Sequence, residues 1–232
     1  MIPRRQLTAF AAATLFGAAL TTSPLPAQAP KAQLQRSPVA PRAELVKSIV
    51  SEAYDKFKNE KGGKNADYIP VLAKVPSNLF GIAVATTDNQ TYSVGDVGYS
   101  FSIQSISKVF SLALAMEESG ADAVFQKIGS EATGRTFNSV SAVVDMPTHS
   151  GNPLVNAGAI ATVSLISAKT PDEKWNKILD FYSKAAGEKL TILNDVYKSE
   201  AATNQGNQAL AALLRKYDRI YADPPQSVDV YT

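Results

Sequence analysis

Phe101-Ser-Ile-Gln-Ser105-Ile-Ser-Lys108 closes on a serine and a lysine three residues apart, at the point where helical spacing begins. From Ser105 to Glu118, the positions Val109, Leu112, Ala113 and Met116 recur with the period of an amphipathic helix. Residues i and i+3 share a helical face, so Ser105 and Lys108 project together. A lysine taken out of water gives up its charge more readily than an exposed one, and then acts as a base. It can accept the proton of the serine hydroxyl and leave an activated nucleophile. The first turn of a helix also leaves backbone N–H groups unpaired, and that of Ser105 is placed to hold an oxyanion. The four residues alone carry two readings: this nucleophilic pair, or a capping serine followed by a surface lysine.

Composition narrows the choice of nucleophile. The 232 residues include no cysteine, which excludes disulfides, thiolate nucleophiles and cysteine-based zinc sites. The one histidine, His149, excludes a His/His metal site and the HExxH type of metalloenzyme. A Ser-His-Asp triad would have to use it, and in its polar turn it reads as solvated. An apolar content of 45% with 19% charged residues suits an ordinary globular protein of one domain, or at most two small ones. The 23 basic residues less Arg4 and Arg5 leave 21 against 21 acidic ones, so the basic excess expected of a nucleic-acid binder is missing. The mixed run from Lys56 to Lys64 reads as a solvated helix end and loop.

Residues 1–29 read as a secretory signal. Arg4 and Arg5 form the positive start, Leu7 to Leu20 the apolar stretch, and Ala27-Gln28-Ala29 a cleavage site. The apolar stretch is shorter than the roughly 20 residues of a membrane span, so no stable span is expected. An uncut N-terminal anchor is the alternative. Either way the body is expected to be exported, to the periplasm or beyond. Residues 30–43, with Pro30, Pro38 and Pro41, read as a spacer, and 44–232 as the folded domain.

Within that domain, Leu45, Ile49, Ala53 and Phe57 make one apolar stripe on a first helix. Leu79 to Ala85 and Thr91 to Val94, joined by Asp88-Asn89-Gln90, predict a β-hairpin. Helices are predicted over 155–168, 194–202 and 208–216. Another runs from the Thr170-Pro171-Asp172-Glu173 capping box to Gly187. Asp223 caps a last helix that reaches the final residue. Only two strands are predicted, and an isolated hairpin is marginal, so the sheet is expected to be incomplete.

Three further features stand out. In Asn152-Pro-Leu-Val-Asn156-Ala-Gly158, Asn156 sits where a helix starts, and either caps it or offers its amide to a substrate. Glu200 and Asn207 are seven apart, with Gly206 a potential break between them. Tyr68, in Ala66-Asp-Tyr-Ile-Pro70, reads by itself as a half-buried core tyrosine.

Taken in order, Ala66-Asp-Tyr68-Ile-Pro70, Phe101 to Lys108, Phe137-Asn-Ser139, Asn152-Pro-x-x-Asn156-Ala-Gly158, Ser199-Glu200 with Asn207, and Tyr231 resemble the serine-dependent glutaminase family. That family is related to the serine β-lactamases and penicillin-binding proteins. The resemblance implies an α+β fold of the β-lactamase/DD-peptidase-like kind, with an antiparallel sheet flanked by helices and a helical subdomain. It implies hydrolysis of L-glutamine to L-glutamate and ammonia through an acyl-enzyme. Ser105 would be the nucleophile and Lys108 its base. Tyr68 and Asn156 would contact substrate, and Glu200 would meet its α-ammonium with Asn207 and Tyr231 nearby. No metal or organic cofactor is implied, and homo-oligomers are. The family pattern continues past Thr232 with a second active-site tyrosine and a Lys-Ser-Gly-like strand. Lys169-Thr170, followed by Pro171, cannot stand in for that strand, so the chain is expected to be truncated at its C-terminus. Two alternatives stay open: an inactive remnant or amino-acid-binding fragment, and a penicillin-recognising acyl enzyme. Against the latter stand Asn152 to Gly158 and the Glu200/Asn207 pair, since a lactam has no free α-amino acid end to grip.

Overall fold

The computed structural model describes residues 43–232; the signal segment and the spacer up to residue 42 lie outside the described residues. The first helix, α1 (Ala43–Phe57), opens at Ala43, the last position of the expected spacer. It covers a hairpin of β1 (Gly81–Ala85) and β2 (Thr91–Gly95), in which Ile82 pairs with Val94 and Val84 with Tyr92. The turn closes through Thr86 N–H donating to Gln90 O (2.9 Å), with Asn89 in the left-handed region at φ 62°. Gly95 is required where the hairpin meets the helix: it has φ +78°, and a Cβ there would lie 2.3 Å from Phe80 O and 2.4 Å from the Tyr54 ring. Tyr54 stacks on Phe80 with ring centroids 5.5 Å apart.

The stripe expected to anchor α1 is turned outward. Leu45 and Ile49 are each 55% exposed and Phe57 is 51% exposed, while Val50 is the residue of α1 that is buried. The helix carries two apolar i, i+4 rows one position apart, and the hairpin takes the row of Val46, Val50 and Tyr54.

The remaining helices gather around α5 (Asn156–Leu165), which has nine of its ten residues buried. A helix apolar all round is a core helix, and Ala157, Gly158, Ala159 and Ala161 keep it thin enough for neighbours to approach. At Gly158 a Cβ would fall 1.9 Å from Asn152 O, so the loop before α5 folds back against bare backbone. Packed directly on α5 are α2 (Ser107–Ser119), α3 (Ala121–Ile128), α8 (Gln205–Lys216) and α9 (Pro224–Tyr231). The short α4 (Val140–Asp145) leans on α8, and α6 (Pro171–Ala186) contacts α2 and α9. α7 (Asn194–Ala201) precedes α8. Ile160, Leu210 and Leu214 are wholly shielded from solvent at the centre.

Local signals set the helix ends. Thr170 Oγ1 accepts from Glu173 N–H (3.1 Å) at the start of α6, and Gly187, at φ 73°, closes it. Asp223 Oδ2 accepts from Gln226 N–H (3.2 Å) at the start of α9. Gly206 does not break the later helices. The break falls at 202–204, and Gly206 lies inside α8, which starts three residues earlier than the apolar spacing predicts. Among the described residues the sheet has two strands, and no helix is long and apolar enough to cross a membrane.

Candidate active site

Ser105 lies in a 3-10 turn, Gln104–Ile106, that runs straight into α2. The α-helix expected from Ser105 therefore begins at Ser107. In a 3-10 turn side chains three apart eclipse one another, which keeps Ser105 and Lys108 on one side. The turn opens with Gln104 at φ 45°, a left-handed conformation that non-glycine residues adopt at a cost. Ser105 is exposed, whereas Lys108 is only 4% exposed.

Lys108 Nζ donates to Asn156 Oδ1 at 2.7 Å. Asn156 is the first residue of α5, and its own backbone N–H is held by Phe137 O at 2.8 Å. Its side chain does not cap α5, so the capping reading falls. The amide Oδ1 also accepts from Tyr231 Oη (3.0 Å), and Nδ2 donates to Asn207 Oδ1 (3.0 Å). Four residues from α2, α5, α8 and α9 thus form one hydrogen-bonded cluster. Among the described residues no buried side-chain polar atom is left without a partner.

The electrostatics follow from burial. Loss of water pushes the Lys108 ammonium down to about 8, and the Glu200 carboxylate pulls it part of the way back. Burial also raises the Glu200 carboxyl, against a hydrogen bond from the Gln104 side chain and the charge of Lys108. The Tyr231 phenol is raised, by burial first and by Glu200 second. A cleft of about 460 Å³ opens onto Gln104, Ser105, Lys108, Tyr182, Glu200 and Tyr231. That volume is of the size usual for small-molecule sites. The ring of Phe137 stands 5.7 Å from Lys108 Nζ, within cation–π range.

Six of the seven residues singled out from the sequence thus meet at this cleft or directly behind it. Tyr68 stands apart: it is 62% exposed, not half-buried, and it is not part of the cleft wall. Its segment is tied to α7 by Val71 N–H donating to Ser199 Oγ (3.3 Å), and its phenol lies close enough to raise that of Tyr231. Glu200 and Asn207 occupy different helices, so their seven-residue spacing is not a shared helical face.

Two cleft residues escaped the sequence reading. Gln104 sits inside the Phe101–Lys108 stretch, and its unusual backbone has no local signature. Tyr182, on α6, donates to Ser107 O (3.1 Å) and hydrogen-bonds Ser111 Oγ across more than 70 positions of sequence. His149 is only partly exposed. Its ring stacks on Tyr217 with centroids 3.8 Å apart, and its Nδ1–H donates to Val143 O (2.7 Å). Among the described residues no three His, Cys, Asp or Glu side chains gather as a metal site would need.

The family model for glutaminase matches residues 63–232. The glutaminase of Colwellia psychrerythraea is 53% identical over 193 residues, covering 83% of this chain and 62% of that protein. The glutaminase of Brucella canis is 48% identical over 190 residues, covering 82% and 60%. The chain therefore spans about three fifths of the length of these curated relatives. Among solved structures, the probable glutaminase ybaS superposes with a TM-score of 0.79 at 44% identity, covering 82% of this chain and 62% of that one. Mglu in its glutamate form superposes with a TM-score of 0.71 at 30% identity, covering 80% and 43%. These neighbours share the α+β, β-lactamase-like fold. By both sequence and fold, the chain belongs to the glutaminase family.

Proposed function

We propose that this chain carries the amide-hydrolysing site of a glutaminase, acting on L-glutamine through Ser105. The observation that carries the reading is Lys108. It is a buried lysine with its proton affinity lowered to about 8, set three residues after an exposed serine on the wall of one cleft. Near neutral pH a useful fraction of such a lysine is a free amine, which matches a base to its task.

In this mechanism Lys108 Nζ takes the Ser105 hydroxyl proton as Oγ adds to the side-chain carbonyl carbon of glutamine. The oxyanion that forms meets the backbone N–H of Ser105. The lysine then delivers the proton to the amide nitrogen, the C–N bond breaks and ammonia leaves. Water attacks the resulting γ-glutamyl ester, with Lys108 again accepting a proton, and glutamate departs as Ser105 is restored. Glu200 pairs with the α-ammonium of the substrate in a charge-assisted contact, and Gln104, already bonded to Glu200, borders that end of the cleft. Asn156 holds the lysine from behind, and Tyr231, bonded to Asn156, lines the cleft beside it. Tyr68, exposed beside α7, would contact the substrate from outside the cleft wall. Mglu, a solved relative, is known in a glutamate form, and glutamate is the product of this route.

The test is ammonia release from L-glutamine by the 232-residue chain beside its Ser105→Ala variant. Release that depends on Ser105 supports the reading. No release from a folded chain favours the alternative of an amino-acid-binding fragment, which calorimetry with glutamine would then detect. The family assignment does not favour a penicillin-recognising enzyme. Export directed by residues 1–29 and self-association into homo-oligomers are companion proposals, tested by cell fractionation and by sedimentation.

A further inference from the structure

The helix that carries Glu200 is anchored unlike the others. Among the described residues α7 has no buried side chain, whereas every other α-helix buries at least one. A short helix that buries nothing draws little on apolar packing to fix its place. Side-chain bonds hold it instead. Ser199 Oγ accepts from Val71 N–H at 3.3 Å, a long and weak contact. Glu200 accepts from the Gln104 side chain, but through the carboxylate that a substrate ammonium would claim. Tyr197 Oη donates to Asp229 Oδ1 on α9 at 2.5 Å. That bond is short, it has a charged acceptor, and it leaves Glu200 free.

Its placement ties the two helices at the site. Tyr197 and Glu200 are three apart on α7, so they share a face, and both line the cleft. Asp229 lies two residues before Tyr231, which stands on the same wall. The bond to Asp229 raises the Tyr197 phenol, which keeps the proton on the tyrosine and the carboxylate as acceptor. α7 is thus held against α9 one helical turn from the Glu200 carboxylate. Hydrogen bonds weaken steeply with misalignment, so a small drift of α7 costs the grip on an ammonium. Ser105 and Lys108 stand on α2 and the turn before it, apart from this bond.

We propose that Tyr197 is a positioning residue for Glu200: its hydrogen bond to Asp229 latches α7 to α9 and so sets the preference of the cleft for ligands that carry an α-ammonium. This rests on the pairing of Glu200 with the substrate α-ammonium proposed above.

L-Glutamate and glutarate are the probes, since they differ only in the amino group and neither is turned over. Calorimetric titration of the full chain is expected to show tighter binding of L-glutamate. Tyr197→Phe keeps the ring and every charge. It is expected to weaken L-glutamate about fivefold and glutarate less than about twofold. Asp229→Asn removes the charge but keeps an acceptor for the phenol, and its preference is expected to stay within about twofold of the parent's. Equal weakening of both ligands in Tyr197→Phe overturns the proposal, since general loosening of the fold would do that. An unchanged preference overturns it too, as does Asp229→Asn losing as much preference as Tyr197→Phe.

A readout free of ligand is amide hydrogen exchange over residues 194–201. In Tyr197→Phe, exchange in α7 is expected to quicken about fivefold while α8 keeps its rate. Unchanged exchange in α7, or an equal rise in α8, overturns the proposal whatever the binding. Faster exchange confined to α7 in a chain that binds neither probe, or both alike, would sink the pairing of Glu200 with substrate and leave the latch standing.

Discussion

Two lysines are buried beside α5, and they are buried differently. Lys174, on α6, is 8% exposed and its Nζ donates to Val163 O and Ser164 O, both at 3.1 Å. Those are carbonyls of the last turn of α5, where the helix dipole favours a cation. Burial lowers the proton affinity of Lys174, and the Glu118 carboxylate nearby pulls it part of the way back. Lys108 is more deeply buried, yet its hydrogen bond is to a single neutral amide and its other side faces a cleft. Burial lowers the proton affinity of both. What distinguishes a base from a structural cation is the number of fixed acceptors and the presence of an open side. Lys174 closes a helix, while Lys108 keeps a direction in which its lone pair can act.

The comparison breaks most sharply on removal of the side chains. Lys108→Ala is expected to reduce glutamine turnover on the order of a thousandfold or more, with a melting temperature near that of the parent. Steady-state ammonia release and a thermal melt check both halves. Lys174→Met should do the reverse. It leaves the Val163 and Ser164 carbonyls without their buried donor, at a cost of about 1–3 kcal/mol, and kcat stays within about twofold. Denaturant unfolding measures the first and the same ammonia assay the second.

The pH dependence sharpens the contrast further. In the proposed route neutral Lys108 is the active form, so kcat/KM should rise with pH and level off above the midpoint of about 8. Stability has its own sign. Folded Lys108 releases its proton near 8, while the unfolded side chain keeps it up to the ordinary 10.5. Between those values the unfolded state binds more protons, so this group makes the fold more stable as pH rises from about 8 toward 10.5. The gain should vanish from the pH–stability curve of Lys108→Met. Lys174 has no part in the kinetic limb, and its removal should leave that limb where it is.

The same difference explains what was readable in the chain. Ser105 and Lys108 are three apart, so local geometry alone joins them. The hairpin, the Thr170 and Asp223 caps and the Gly187 stop are likewise written in adjacent residues. The partners gathered around Lys108 are not. Asn156 lies 48 positions away and Asn207 a further 51; local reading left Asn156 between a cap and a substrate contact, and Asn207 was placed at the site only through family resemblance. The outward turn of Leu45, Ile49 and Phe57 was hidden because α1 carries two apolar rows, and only the hairpin packed against it selects one. Lys174 gave no signal at all: its role depends on where α5 ends against α6. The left-handed backbone of Gln104 was equally silent.

The most direct test of the central claim is acid-quench mass spectrometry of the full chain mixed with L-glutamine, read at the peptide containing Ser105. The account predicts a γ-glutamyl group on Ser105, lost in Ser105→Ala together with ammonia release. Ammonia release undiminished in Ser105→Ala, or the glutamyl group on another residue, would contradict it.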